Sequence, residues 1–133
     1  MKYFKCIFIF CLFTFPAMHT AARYKHKHKA RGIASYYSNK YEGKKTANGE
    51  IFSNKGYTAA ANKFRLGAYV RVTNRVNGRK VYVRINDRMG NGKRLIDLTT
   101  AATNQLGFHK EGTVKVKVKV VKDRKGRRKI NRQ

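Results

Sequence analysis

Three carboxylates in a strongly basic chain are the residues best suited to chemistry. The sequence carries 32 Lys and Arg against 6 Asp and Glu, so each acid kept in that field calls for its own explanation. Glu50 closes Thr46-Ala47-Asn48-Gly49-Glu50, Asp87 lies within Arg84-Ile85-Asn86-Asp87-Arg88, and Asp97 lies within Leu95-Ile96-Asp97-Leu98-Thr99. Cleavage of a glycosidic bond is the reaction such a set serves. A carboxylic acid protonates the leaving oxygen, and in hydrolases a second carboxylate activates water or attacks the sugar. Lytic transglycosylation needs one carboxyl group only: it gives its proton and then, as a base, helps the sugar's own 6-hydroxyl close on the anomeric carbon.

Each acid also has an ordinary structural role open to it. Asp87 precedes Gly90-Asn91-Gly92 and can bond loop amides. Asp97 stands before a predicted helix, where a carboxylate caps free amides and suits the helix dipole. Glu50 can pair with Lys44 or Lys45 in a loop, a contact of small value. Tyr36, Tyr37, Tyr41 and Phe52 suit stacking on sugar rings and equally suit a strand surface or core. No Gly-rich phosphate loop, Ser/His/Asp order or metal-ligand cluster is discernible, His26 and His28 included, and no cofactor is expected.

The elements that must position these acids read as short strands. Val70-Arg71-Val72-Thr73 and Val81-Tyr82-Val83-Arg84-Ile85 alternate apolar and polar around Asn77-Gly78, which predicts a hairpin with a type I′ turn. Val114 to Val120 alternates without a break, giving a valine face for a core and a lysine face for solvent. Gly32-Ile33-Ala34-Ser35-Tyr36-Tyr37 and Tyr57-Thr58-Ala59-Ala60-Ala61 are further strand candidates, the second equally a turn of helix. One helix is predicted from Thr100 to Leu106, capped by Asp97 or Thr99 and ended by Gly107. Several short strands, one helix and no α/β alternation point to a mainly β small closed barrel.

The ends of the chain read differently. Lys2 and Lys5 precede an apolar run, Cys6 to Phe15, too short to span a bilayer, and Ala17, Thr20, Ala21 and Ala22 follow it. Residues 1–22 are therefore predicted to be a secretory signal peptide cleaved after Ala22 or Ala21, with an uncleaved anchor as the alternative. Both cysteines, Cys6 and Cys11, fall there, so the remaining chain is expected to use neither disulfides nor a thiol nucleophile, and lipid anchoring is not expected. Loss of residues 1–22 leaves 30 basic and 6 acidic residues, a formal charge of +24 on 111 residues. Such a field selects polyanionic surroundings, which for an exported protein are acidic envelope polymers and anionic lipid heads. Residues 23–31 and 122–133 are basic and without periodicity, and are expected to be solvated tails that hold those polymers.

Several of these segments, taken in order, carry a resemblance. Ala34-Ser35-Tyr36-Tyr37, Lys45-Thr46-Ala47-Asn48-Gly49-Glu50-Ile51-Phe52, Tyr57-Thr58-Ala59-Ala60, Val70-Arg71-Val72-Thr73-Asn74, Asn77-Gly78-Arg79, Val83-Arg84-Ile85-Asn86-Asp87-Arg88 and Arg94-Leu95-Ile96-Asp97-Leu98-Thr99 resemble the rare lipoprotein A family over residues 32–121. The resemblance implies a six-stranded double-psi β-barrel with one short helix, and an exported, monomeric endolytic transglycosylase in the periplasm or cell envelope acting on peptidoglycan glycan strands. It implies Asp87 and Glu50 as the catalytic pair in a groove, with Tyr37, Thr46, Asn86, Arg88 and Asp97 as substrate-binding residues. Where the family commonly has an active-site histidine this chain has Ala61, and where it often has an aspartate this chain has Ser53. A glycan-binding module of weakened catalysis, held to acidic polymers by basic tails, is the competing expectation.

Overall fold

The computed structural model describes residues 27–90 and 92–133 of the protein. The expected signal peptide, both cysteines and residues 23–26 of the expected basic tail lie outside the described residues. Six strands run β1 (Lys29–Tyr36), β2 (Thr58–Ala60), β3 (Tyr69–Asn74), β4 (Lys80–Asp87), β5 (Ile96–Leu98) and β6 (Val114–Val121), with helices α1 (Thr100–Leu106) and α2 (Asp123–Ile130). The strands close into a barrel in the order β1-β5-β2-β4-β3-β6, with β1/β5 and β2/β4 parallel and the other neighbours antiparallel. Closure leaves no sheet edge to cap, which suits strands this short. Among the described residues, no helix is long and apolar enough to cross a membrane.

The alternation read from the sequence fills the barrel. Val70, Val72, Val81, Val83, Ile85, Val116 and Val118 point inward and are fully buried, as are Ala34, Ala59, Ile96 and Leu98 from the other strands. Phe64, Phe108 and the α1 residues Ala102 and Leu106 complete this core. Thr99 caps α1, its hydroxyl accepting from the Ala102 amide at 3.4 Å, and Gly107 ends it in the left-handed region. Asp97 is not the cap: it lies inside β5 between buried Ile96 and Leu98, so the strand's two-residue period turns it outward.

Three other expectations change. Lys29, Ala30 and Arg31, expected to end a solvated basic tail, instead open β1 and pair with Lys119, Val118 and Lys117 of β6. β3 and β4 do form a hairpin, with Thr73 opposite Lys80, but its turn is not type I′. Gly78 alone in the connection has positive φ, and its amide bonds back to the Asn74 carbonyl at 2.9 Å. The Asn74 side chain gathers the Val76 amide at 2.8 Å and donates to the Leu106 carbonyl at 3.1 Å, tying a longer connection to α1.

The segment 122–133 is a second helix docked on the barrel rather than a solvated tail. Gly126 sits against Tyr69 so closely that a Cβ there would lie 2.2 Å from the Tyr69 Cβ. Asp123 opens α2 and pairs with Arg65 at 3.0 Å. Beyond α2, Gln133 accepts from the Tyr82 amide at 2.6 Å and donates to its carbonyl at 2.8 Å. β2 reaches only Arg84 to Asp87 on that side of β4, so the Gln133 amide supplies the ladder bonds that a longer β2 would have made.

Candidate active site

A bulge in β4 aims the best-placed acid. Val81, Val83 and Ile85 are buried at every second position, and unbroken alternation would bury Asp87 as well. Between the β2 residues Ala59 and Ala60 the register slips, so that Ala59 faces Ile85 while Ala60 faces Asp87. The extra residue, Asn86, turns inward and is 2% exposed. Asp87 is thereby carried to the outer side, as bulges next to sites commonly do.

Ala60 also faces Asp97 on its other side. Asp87 and Asp97 thus flank one small residue from two neighbouring strands, their Cα atoms roughly 10 Å apart by two strand spacings. Both line an open groove whose wall includes Tyr37, Tyr41, Arg88 and Arg94. Tyr37 and Ala60 on its wall belong to a small buried apolar cluster with Phe52 behind them, and Met89 packs against it. Tyr37 packs against Phe52 at 4.3 Å between centroids with the rings tilted by 43°, and meets Tyr41 edge-on at 5.9 Å.

Asp87 is held at one oxygen and available at the other. Its Oδ1 accepts from the amides of Ala47 at 2.9 Å and Arg88 at 2.8 Å. Its Oδ2 accepts one bond, from the Tyr37 hydroxyl at 3.0 Å. Two lone pairs of Oδ1 are therefore filled, and Oδ2 is the atom with capacity left for a proton or a ligand. Burial first, then the charge of Asp87 and the hydrogen bond to it, with a further push from Asp97, hold the Tyr37 phenol far above its ordinary range. Tyr37 accordingly stays a donor at any pH the protein meets. Asp97 is fixed by a fork from Arg94, Nε to Oδ1 at 2.8 Å and Nη2 to Oδ2 at 3.0 Å.

Glu50 does not line the groove. It lies at the end of a tight turn in which the Thr46 amide donates to the Glu50 carbonyl at 2.8 Å and the Gly49 amide to the Thr46 carbonyl at 2.9 Å. Arg84 grips its carboxylate with two bonds, at 2.5 and 2.7 Å, and Asn86 and Asn48 add one each at 3.1 and 2.9 Å. The Arg84 hydrogen bonds above all, aided by those from Asn86 and Asn48 and opposed by partial burial, bring the Glu50 carboxyl down to about 2. It is ionised across the working range and has no proton to give. The expected lysine partners play no part in this clamp.

The clamp reaches Asp87 through backbone. Glu50 and Asn86 fasten the turn to β4, where the Asn48 amide also donates to the Asn86 carbonyl at 3.2 Å, and the same turn offers the Ala47 amide to Asp87. Thr46 and Asn86, expected to touch substrate, are 7% and 2% exposed; Thr46 spends its hydroxyl inside this bracket and Asn86 its amide NH2, while the Asn86 Oδ1 is buried without a partner among the described residues. Arg88 lines the groove, but its Nη1 donates to the carbonyls of Ala61 and Phe64, so part of its fork is used to hold the loop after β2. Ala61 is fully buried and belongs to the main core. Ser53 is half-buried beside Phe52.

Sequence reading missed Arg84 and Arg94. Both sit at polar positions of strongly basic stretches, and nothing in the sequence separates them from some thirty other cations. His109 was missed as well; its ring lies 4.8 Å from that of Tyr36, which borders the groove.

Residues 29–118 match a family model described as lytic transglycolase. Over 98 residues the chain is 48% identical to the endolytic peptidoglycan transglycosylase RlpA of Pasteurella multocida, a match covering 72% of this chain and 33% of that protein. The protein of the same name from Pseudomonas aeruginosa strain UCBPP-PA14 is 49% identical over 88 residues, 65% of this chain and 26% of its own length. The chain thus spans about a third of the length of the curated relatives it matches. Among solved structures, the Streptomyces papain inhibitor superposes with a TM-score of 0.58 at 27% identity, over 71% of this chain and 94% of that one. An expansin of Clavibacter michiganensis superposes with a TM-score of 0.56 at 21% identity, over 71% of this chain and 51% of its own. These neighbours share the double-psi β-barrel.

Proposed function

Because the chain belongs to the rare lipoprotein A family of double-psi-barrel lytic transglycolases, we propose that it cleaves peptidoglycan glycan strands, in the cell envelope, to 1,6-anhydro ends. The observation that supports this most is the state of Asp87: one oxygen pinned by two amides, the other facing a groove lined by Tyr36, Tyr37 and Tyr41. Asp87 Oδ2 delivers a proton to the glycosidic oxygen as the bond from that oxygen to the anomeric carbon breaks. The resulting carboxylate then takes the proton of the sugar's 6-hydroxyl as that oxygen bonds the anomeric carbon. Atoms balance without water, and one acid serves both steps.

The neighbours have narrower tasks. Tyr37 steadies the ionised form of Asp87 between the two transfers, and the exposed rings of Tyr36 and Tyr41 on the same groove offer surfaces for a sugar face. Asp97, oriented by Arg94, places negative charge where the sugar ring becomes positive in the transition state. Glu50 is a positioning residue that holds the turn carrying the Ala47 amide. The test is direct: incubate the protein with purified glycan strands and seek 1,6-anhydro products by mass spectrometry. Release of such ends supports the reading. Binding without products would instead favour a glycan-binding module.

A further inference from the structure

We propose that the outer face of β6, with its neighbours β1 and β3, is an electrostatic docking surface for an anionic lipid bilayer. The strand register builds this face. Lys119 lies between Lys29 on β1 and Arg71 on β3, and Lys117 lies opposite Arg31. Lys115 continues the row, its carbonyl accepting from the amide of Arg75 at 2.9 Å. Lys29, Arg31, Lys115, Lys117 and Lys119 are all exposed, whereas the alternate β6 residues Val116 and Val118 are locked in the core. The register therefore fixes the Cα positions of these lysines on one outer face, although each flexible side chain still moves its own ammonium group.

Like charges set directly across a ladder weaken a sheet, and among the described residues no acid forms an ion pair with them. The six acids are Glu42, Glu50, Asp87, Asp97, Glu111 and Asp123, none on β1, β3 or β6. Among the described residues, the ion pairs use Arg65, Arg84 and Arg94, and no cation of this face. The exposed cations of β1 and β6, with the partly buried Arg71 of β3 beside them, form a row without ion-pair partners that fits external anions.

The array is two-dimensional, its Cα positions about 4.8 Å apart across strands and roughly 7 Å apart along them. A layer of phosphate headgroups meets every row of it at once, whereas a single linear polyanion meets one. No aromatic side chain stands among these cations to stack a base; Tyr69, the aromatic residue of β3, is covered by α2. On its far flank α2 adds Arg124, Arg127 and Arg128. In the closed ring β6 stands three strands from β2 by either route. A protein resting on β6 therefore turns Ala60, Asp87 and Asp97 away from the bilayer. This inference does not depend on the chemistry of the groove.

Flotation of the full chain with phosphatidylcholine vesicles, with and without phosphatidylglycerol, tests it. The phosphatidylcholine arm measures any uptake by the apolar residues 6–15. Uptake that needs phosphatidylglycerol and is released by salt is expected. Lys115→Gln/Lys117→Gln/Lys119→Gln should lower partition by about two orders of magnitude at low salt, while Lys44→Gln/Lys55→Gln/Lys63→Gln, which removes equal charge elsewhere, should lower it less than about tenfold. The β6 variant loses like-charge neighbours and should melt no lower than the parent. Should it fail to fold, Lys29→Gln/Arg31→Gln repeats the test from β1, with a loss of about tenfold or more expected. Equal losses in the β6 and control variants, or binding to polyphosphate or single-stranded DNA at a salt concentration that leaves vesicles unbound, overturns the proposal.

Discussion

Replacing Glu50 by Gln removes the charge that Arg84 closes on while keeping the shape of the side chain. If the whole fall of the Glu50 carboxyl, from 4.5 to about 2, reached stability it would amount to about 3 kcal/mol. The Glu50 side chain is 39% exposed and that of Arg84 26%, so solvent screening leaves roughly 1–1.5 kcal/mol. For a domain of this size that lowers the melting temperature by roughly 5–10 °C. The sign with pH follows from the depressed folded value. Glu50 contributes fully above its ordinary value of 4.5, and the contribution is lost as pH falls toward about 2. Melting curves of parent and Glu50→Gln, followed by circular dichroism, should therefore run apart at neutral pH and converge between about pH 4.5 and pH 2. The difference between the two isolates Glu50 from the other carboxylates that titrate in acid. A gap that stays constant down to pH 2, or no gap at pH 7, would refute the clamp.

Tyr37→Phe deletes the donor to Asp87 Oδ2 and keeps the ring that packs against Phe52 at 4.3 Å. Turnover on glycan strands should fall about tenfold, the worth of one hydrogen bond to a charged group, with little change in melting; unchanged turnover would remove Tyr37 from the mechanism. Gly126→Leu cannot be housed against Tyr69 and should cost about 1–3 kcal/mol by overpacking or undocking. Faster amide exchange confined to α2 and the exposed part of β4 would report it; an unaltered exchange pattern would contradict the docked helix.

What the sequence disclosed follows from which interactions are periodic. The valines of β3, β4 and β6 announce the core because each strand obeys the two-residue period, and Thr100 to Leu106 declares its own cap and stop. A carboxylate before a helix often caps it, yet β5 runs to Leu98, keeps Asp97 inside the strand and leaves the capping to Thr99. The segment 122–133 has no apolar stripe. Its docking rests on a missing side chain at Gly126 and a borrowed amide at Gln133, neither of which makes a pattern. The acids were found by scarcity, but their grouping was not legible. A bulge at Asn86 decides that Asp87 faces the groove, and an arginine indistinguishable from its neighbours in sequence decides that Glu50 stays out of it.

The central claim is that Asp87 alone moves the proton in both halves of glycan cleavage. Mass spectrometry of purified glycan strands after incubation with the protein and with Asp87→Asn tests it, provided circular dichroism shows both folded. The account predicts 1,6-anhydro ends from the parent and a loss of at least about a hundredfold in the variant, the usual worth of a general acid and base. Anhydro product formed equally by Asp87→Asn, or none formed by the parent, would contradict it.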